Sequence, residues 1–375
     1  MTAPRIARID VSASHLEIHW QGAAEPAHYP FFWLRDHCHG PHSMNAITRQ
    51  REVDSFAIPA GITAAAASLS DDGENVRVAW KEEQEESVFP VTFLWRMRQP
   101  GAAETASKRR LWPSDDITDR LERVHHDDVM AADGIGLHRW LEAVDRDGLA
   151  LVEAVPATAE ATEALLRHVA YIRETIFGGF WDFTANAAFA DSAYSTVEIG
   201  PHTDGTYSID SPGYQSFHCL EFDATGADSI FVDGFFVARE LGRRDPEAFE
   251  LLTRTPIPAR YIGDGAWLEA AHPLIALERD GSLRQVAYNN YDRAPFRLPD
   301  ADQSLFYRGL TLFNDLINDP ANQLRFSLRP GTLVMFDNWR VLHARAAYEG
   351  RRRLCGAYHN REDVQSRLRL LRNSG

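Results

Sequence analysis

The sequence predicts a mainly β protein with flanking helices: a small N-terminal β domain, then a larger barrel or sandwich buttressed by helices. Three observations carry this. Residues 4 to about 98 break into short alternating runs separated by turn signals. From residue 132 onward, apolar residues recur at helical spacing. Between and beyond those helices the chain returns to strand-like runs.

ARIDVSASHLEIHW alternates around a polar break, and DDGENVRVAW opens with a turn and ends in a strand. KEEQEES at 81–87 reads as a solvated acidic loop. Residues 1–98 form the first domain, and 99–131, with QPGAAETASKRR and HHDD, read as a linker. No internal repeat is apparent. The third part, 132–375, opens with Leu137, Trp140, Leu141 and Val144 on one helical face, stopped by Gly148 before the strand LALVEAV. ATEALLRHVAYIRETIFG carries the same spacing through Leu165, Leu166, Val169, Ile172 and Ile176 to Gly178. QSLFYRGLTLFNDLIND predicts a further helix. YQSFHCLEF, SIFVDGFFV, LRQVAYNNY, GTLVMFDNW and RLCGAYH predict strands.

The 375-residue chain is 44% hydrophobic and 25% charged, ordinary for a soluble globular protein. Its net charge of −15 argues against nucleic acid and anionic membrane surfaces, which both reward a basic face. MTAPRIARID lacks the apolar core of a secretory signal, and no run approaches a membrane-spanning helix. Cys38, Cys219 and Cys355 lie far apart without disulfide spacing. The expectation is a reduced, cytoplasmic protein that acts on a small molecule.

IGPHTDGTYS at 199–208 sets His202 and Asp204 two positions apart, so an extended backbone presents both on one face. FDNWRVLHAR at 336–345 places His343 behind an apolar strand. Two histidines and one carboxylate on one face of an octahedral ion are the arrangement used for non-haem Fe(II). An H-x-D pair alone arises readily by chance. The pair, a distant histidine and an arginine about ten residues beyond it, Arg352 in RRRLCGAY, make a more specific composite. An arginine fork grips a carboxylate bidentately and keeps its charge, as an oxygenase using 2-oxoglutarate requires. The expected cofactors are Fe(II), 2-oxoglutarate and O2. His37/His39/His42 and His125/His126 lack such an ordered set.

FFWLRDHC, GPHTDG, GADSIFVDGFFVA, FDNWRVLHAR and RLCGAYHNREDVQSRLRLL resemble, across nearly the whole chain, successive signatures of the γ-butyrobetaine dioxygenase branch of 2-oxoglutarate-dependent dioxygenases. The resemblance implies a double-stranded β-helix (jelly-roll) catalytic domain behind a small N-terminal β domain. It implies His202, Asp204 and His343 as iron ligands and Arg352 as the 2-oxoglutarate anchor. Arg353 is the competing choice, on the opposite face of the strand. Substrates of this branch carry a trimethylammonium group, a cation without a hydrogen-bond donor, held by aromatic rings at about 0.5–2 kcal/mol each. The family's cage falls on Phe177 (more often tyrosine), Trp181, Tyr194 and Tyr358. The alternative reading of the aromatics in IFGGFWDF is core or lid packing.

Two departures from the family pattern matter. Its N-terminal zinc site uses C-x-C-x-x-C and a later histidine. Here Cys38 remains, Gly40 and Ser43 replace the other cysteines, and the histidine position falls near Glu85, so the site reads as lost. Cys38, His39 and His42 leave open a rebuilt site. At the substrate's anionic end, Asn289 matches one family amide, but Asp191 stands in place of the other. A carboxylate there disfavours a carboxylate substrate and accommodates a singly protonated phosphonate, unless Asp191 pairs with Arg293. The expected reaction is therefore hydroxylation of 2-(trimethylammonio)ethylphosphonate at C1. The alternatives are γ-butyrobetaine hydroxylation to carnitine and, from another class, a non-catalytic jelly-roll that binds betaines. The resemblance also raises a homodimer as the assembly.

Overall fold

The computed structural model describes residues 4–40, 43–82, 86–99, 109–184, 196–263 and 265–373. The chain divides into two compact units, Met1–Ala106 and Ser107–Gly375.

The first unit holds two three-stranded antiparallel sheets, Ile6–Val11/His15–Trp20/Ala27–Pro30 and Ala64–Leu69/Asn75–Trp80/Ser87–Pro90. Each third strand ends on a proline that runs straight into a short helix, Phe31–Asp36 or Val91–Arg96. Proline suits that junction, because it has no N–H for the first helical turn to leave unpaired. Strand alternation buries Leu16, Ile18 and Trp20 in one sheet and Val76, Val78 and Trp80 in the other, within one core. The unit is thus one strand–strand–strand–helix pattern used twice, a repeat the sequence carries at a spacing of 60 residues (80 − 20) through Trp20/Trp80, Pro30/Pro90 and Leu34/Leu94. Most exposed positions between them differ, so the repeat is faint.

In the second unit a large sheet runs Phe180–Thr184, Tyr348–His359, Tyr214–Gly226, Leu333–Asp337, Leu149–Glu153, Arg123–His125. A smaller one runs Ile199–His202, Val341–Arg345, Ser229–Asp233, Leu324–Phe326. The chain crosses from large to small sheet after Gly226 and after Asp337, and returns after Arg345. Repeated crossing of this kind makes a double-stranded β-helix. Phe217, Phe231, Phe336 and Leu354 pack between the sheets.

Helices Ile135–Asp147, Ala159–Val169 and Arg361–Asn373 lay Leu137, Trp140, Leu165, Leu166 and Leu368 on Ala150, Val152 and Met335 of the large sheet. Gly148, left-handed at φ 85°, ends the first of them where expected. Gly234–Arg244, Pro246–Arg254 and Asp300–Asn318 form a second helical group around Val232 and Leu342 of the small sheet. Among the described residues no helix is long and apolar enough to cross a membrane.

Three expectations need correction. The helix predicted through Ile176 stops at Val169, and Ile172–Arg173 pairs with Tyr358 and His359 instead. Hydrogen bonds offered by that strand end outweigh the helical period. Residues 109–131 are no linker: Ser114–Thr118 and His126–Met130 are helical, and Arg123–His125 adds a parallel strand to the large sheet. Trp112, Ile117, Val124 and Val129 are buried there, too widely spaced to register as a pattern. SIFVDGFFV is half strand, half helix, because Asp233 Oδ1 accepts from the N–H groups of Phe235 and Phe236 (3.0 and 3.3 Å) and caps a helix.

Candidate metal centre and substrate cavity

His202 closes its strand and lies directly opposite His343 in the antiparallel register, with ring centroids 4.2 Å apart. Asp204 follows in a bend made possible by Gly205, whose φ is 72° and whose missing Cβ would stand 2.6 Å from Pro212 Cδ. Asn338 ties this bend to the turn that leads to His343. Its Oδ1 accepts from Asp204 N–H (2.9 Å), and its Nδ2 donates to the carbonyls of Asp204 (3.0 Å) and Pro212 (2.9 Å).

The donors converge. His202 Nε2 is 3.3 Å from Asp204 Oδ1, and His343 Nε2 is 3.8 Å from Asp204 Oδ2. His202 Nδ1 lies 2.9 Å from the Gly200 carbonyl, which accepts its proton and leaves Nε2 for a ligand role. Asp204 Oδ2 accepts from Gln215 Nε2 (2.8 Å) and Tyr358 OH (2.7 Å). Burial raises the Asp204 pKa, but the neighbouring His343 and His202 imidazoles and the Tyr358 hydroxyl outweigh it and hold the carboxyl well below the usual range. Burial, with His202 adding to it, pushes His343 down to about 3, so the imidazole is neutral. An ionised Asp204 and a neutral His343 are the states a metal ion needs. At His202 burial lowers the pKa but the Asp204 hydrogen bond and charge raise it, so a bound ion would displace a proton there. Donor spacings of 3.3 and 3.8 Å also sit near the ~3 Å expected for adjacent ligands around an ion with ~2.1 Å bonds. The residues fit a metal.

A cavity of about 440 Å³ opens beside these donors. Arg352 lines one end, buried, with Nη2 donating to Ser229 Oγ (3.1 Å). Its Nε is buried without a hydrogen-bond partner among the described residues. Burial pushes the guanidinium down to about 10, still charged at neutral pH. A buried cation with an open nitrogen is a receptor for an anion. Arg353, one residue on, faces outward and pairs with Asp182 (2.5 Å) and Glu221 (3.3 Å).

The aromatic wall includes Trp181, 5.8 Å from Tyr358 and 5.4 Å from Phe217 by ring centroids. Trp181 sits opposite Gly356 in the strand register, and a Cβ at 356 would come within 2.6 Å of the indole. Phe177 also lines the cavity and meets Tyr261 at 5.6 Å, and Tyr261 meets Tyr207 at 5.3 Å. Asn289 lines the wall too, its Nδ2 donating to Asp292 Oδ2 (2.7 Å). Asp191 and Tyr194 lie outside the described residues. Sequence reasoning missed Tyr207, Tyr261, Gln215 and Asp292. Tyr207 and Asp292 each stand three positions from a residue already singled out (Asp204 and Asn289), a signal that could have found them. Tyr261 and Gln215 carry no such mark.

In the first unit, Cys38 is buried. Burial raises its thiol pKa, but hydrogen bonds from Ser43, Ser87 and the backbone of Gly40 and Val88 outweigh it and hold the pKa below its ordinary value. His42 and Glu85 lie outside the described residues.

A double-stranded β-helix with two histidines, an aspartate and a buried arginine lining one cavity is the arrangement of an Fe(II)- and 2-oxoglutarate-dependent dioxygenase. The chain belongs to the taurine catabolism dioxygenase TauD, TfdA family, whose profile matches residues 115–358. Residues 7–95 match the gamma-butyrobetaine hydroxylase-like N-terminal domain. The chain is 35% identical to trimethyllysine dioxygenase of Meyerozyma guilliermondii over 98% of its length and 96% of the relative. It is 33% identical to human mitochondrial trimethyllysine dioxygenase, covering 92% of the chain and 82% of the relative. It is 31% identical to gamma-butyrobetaine dioxygenase of Pseudomonas sp. strain AK-1, covering 96% and 94%.

Proposed function

We propose that His202, Asp204 and His343 hold Fe(II), that Arg352 binds the distal carboxylate of 2-oxoglutarate, and that the aromatic wall receives a trimethylammonium group. The product is an alcohol: one O2 atom enters a substrate C–H bond and the other enters succinate as 2-oxoglutarate loses CO2. Bound iron supplies the oxidising chemistry, and the chain's residues aim one C–H bond at it. Trp181, Tyr358 and Phe177, with Tyr194 by sequence, present ring faces to the cation. Tyr358 does double duty, since its hydroxyl also holds the Asp204 carboxylate.

The substrate we favour is a trimethylated amino acid of the trimethyllysine kind. The observation that carries it is the Asp292 carboxylate beside Asn289 on the cavity wall. An α-amino acid brings both an ammonium and a carboxylate, so it uses an acceptor and a donor side by side. The relatives named trimethyllysine dioxygenase, at 35% and 33% identity, support this reading. The phosphonate expected from Asp191 alone fares worse, because a second wall carboxylate repels its negative charge. γ-Butyrobetaine lacks the ammonium that would pair with an acid.

The test is succinate formation and product mass with trimethyllysine, γ-butyrobetaine and 2-(trimethylammonio)ethylphosphonate. Trimethyllysine should give the highest kcat/KM, and Asp292→Asn should lower it for trimethyllysine alone. A lead for either other compound overturns the substrate assignment. Succinate formation unaffected by His202→Ala or His343→Ala overturns the iron assignment.

A further inference from the structure

The first sheet of the N-terminal unit carries a second cluster of metal-ligating side chains. In His15–Trp20, burial of Leu16, Ile18 and Trp20 leaves His15, Glu17 and His19 on the opposite face. The register sets Asp10 beside Glu17 on one side and His28 beside it on the other. The rings of His15 and His28 have centroids 4.8 Å apart. Donor atoms of His15, Glu17 and His28 all lie within 4.8 Å of one another.

His15 is also oriented. Its Nδ1 lies 2.9 Å from Ser12 Oγ and 3.2 Å from Ser14 Oγ, while its Nε2 turns toward Glu17 Oε2 at 4.0 Å. A hydroxyl partner on the far nitrogen fixes the ring and leaves the near nitrogen for a metal. The other side of Glu17 is already engaged, its Oε1 3.2 Å from His19 Nε2. There His19 Nε2 stands 3.0 Å from Asp10 Oδ2 and 3.0 Å from Arg8 Nη2, and Arg8 Nε is 2.7 Å from Asp10. The Arg8 cation repels a second cation, so the open end of the cluster is the one between His15 and His28.

We propose that His15, Glu17 and His28 form a binding site for a divalent ion of the zinc class, separate from the dioxygenase centre and independent of cysteine. Two imidazoles and a carboxylate suit such a borderline ion, and water completes its coordination. Tetrahedral bonds of about 2.1 Å place donors roughly 3.4 Å apart. The present spread closes with donor shifts of about 1.4 Å (4.8 − 3.4) through side-chain rotation, which partly or fully exposed side chains make at little cost. A bound ion would clamp His15–Trp20 to Ala27–Pro30 across their ladder.

The test is zinc stoichiometry. Full-length protein is stripped with chelator, dialysed against micromolar Zn(II) and analysed for metal by mass spectrometry. The parent should hold one more zinc per chain than His15→Ala/His28→Ala, and the same difference should persist in a His202→Ala/His343→Ala background. Glu17→Gln should weaken the zinc lost in the double variant by roughly tenfold or more. Cys38→Ser should leave the count unchanged. Parent circular dichroism and unchanged dioxygenase turnover establish that His15→Ala/His28→Ala is folded. An unchanged zinc count in His15→Ala/His28→Ala, or loss of that zinc in Cys38→Ser, overturns the site.

Discussion

Replacing Arg352 by methionine keeps most of the side-chain volume and removes the charge. In the parent Arg352 lines the cavity, is 6% exposed, donates to Ser229 Oγ and keeps Nε buried without a hydrogen-bond partner among the described residues. The co-substrate's distal carboxylate would then lose its charged partner in a desolvated site. Truncating one member of such a pair costs about 2–5 kcal/mol. That converts to a roughly 30-fold to few-thousandfold rise in the KM for 2-oxoglutarate. Saturating 2-oxoglutarate should restore the prime substrate's KM, because on the proposed assignment Arg352 contacts only the keto acid. Without ligand, Arg352→Met should melt no lower than the parent, since it removes a buried charge that costs desolvation. Arg353→Ala is the control: its exposed pairs with Asp182 and Glu221 contribute about 0–1 kcal/mol, so its KM should move less than about fivefold. Initial-rate assays of succinate across 2-oxoglutarate concentrations decide the matter. A large effect in Arg353→Ala with none in Arg352→Met would refute the reasoning.

Tyr358→Phe removes the 2.7 Å hydrogen bond to Asp204 but keeps the ring, so iron affinity should fall roughly ten- to hundredfold while substrate KM at saturating iron holds; equal loss in both would count against separate roles. Trp181→Ala should lower kcat/KM for a trimethylammonium substrate roughly tenfold or more, and the tert-butyl isostere should bind the parent poorly, as competition assays would show. His218 and His359, each pushed down to about 4 chiefly by burial, make the fold acid-sensitive. Above the ordinary histidine pKa of about 6.5 their stabilising contribution is complete; between there and about 4 the unfolded chain takes up protons that the folded one refuses, so stability falls by up to on the order of 3 kcal/mol per group. Urea melts from pH 7 to 4.5 should show a shallower decline in His218→Gln, and parallel curves would argue against it.

The nearness of His202 and Asp204 was legible from their two-residue spacing, although the strand ends at His202 and the Gly205 bend, rather than an extended backbone, brings the Asp204 carboxylate round to it. Arg352 was separable from Arg353 because adjacent strand residues face opposite ways. The second aromatic group was not legible. Tyr261 comes from the hairpin Pro256–Gly263/Ala266–Pro273, and only tertiary packing sets it against Phe177 and Tyr207. The repeated N-terminal unit escaped notice because its signal is sparse: Trp20/Trp80, Pro30/Pro90 and Leu34/Leu94 recur at one spacing, while Leu16/Val76 and Ile18/Val78 share only apolar character. Residues 109–131 looked like a connector because Trp112, Ile117, Val124 and Val129 each anchor a separate short piece.

Strand Tyr348–His359 turns Arg352, Leu354 and Tyr358 toward the cavity, with Gly356 clearing the place for Trp181. Arg352 and Tyr358 are six residues, or about 20 Å, apart on that single strand. On the proposed assignment, grip on the keto acid, support of the metal carboxylate and a wall for the cation are inherited as one cassette. A one-residue insertion between Arg352 and Tyr358 would turn one end of it away from the cavity. Asn289 and Asp292 belong to a different stretch of chain, outside any strand. A lineage built on this scaffold can exchange the acid group it accepts without disturbing oxidation or cation capture, while a change of cation must rework the strand that also serves the chemistry.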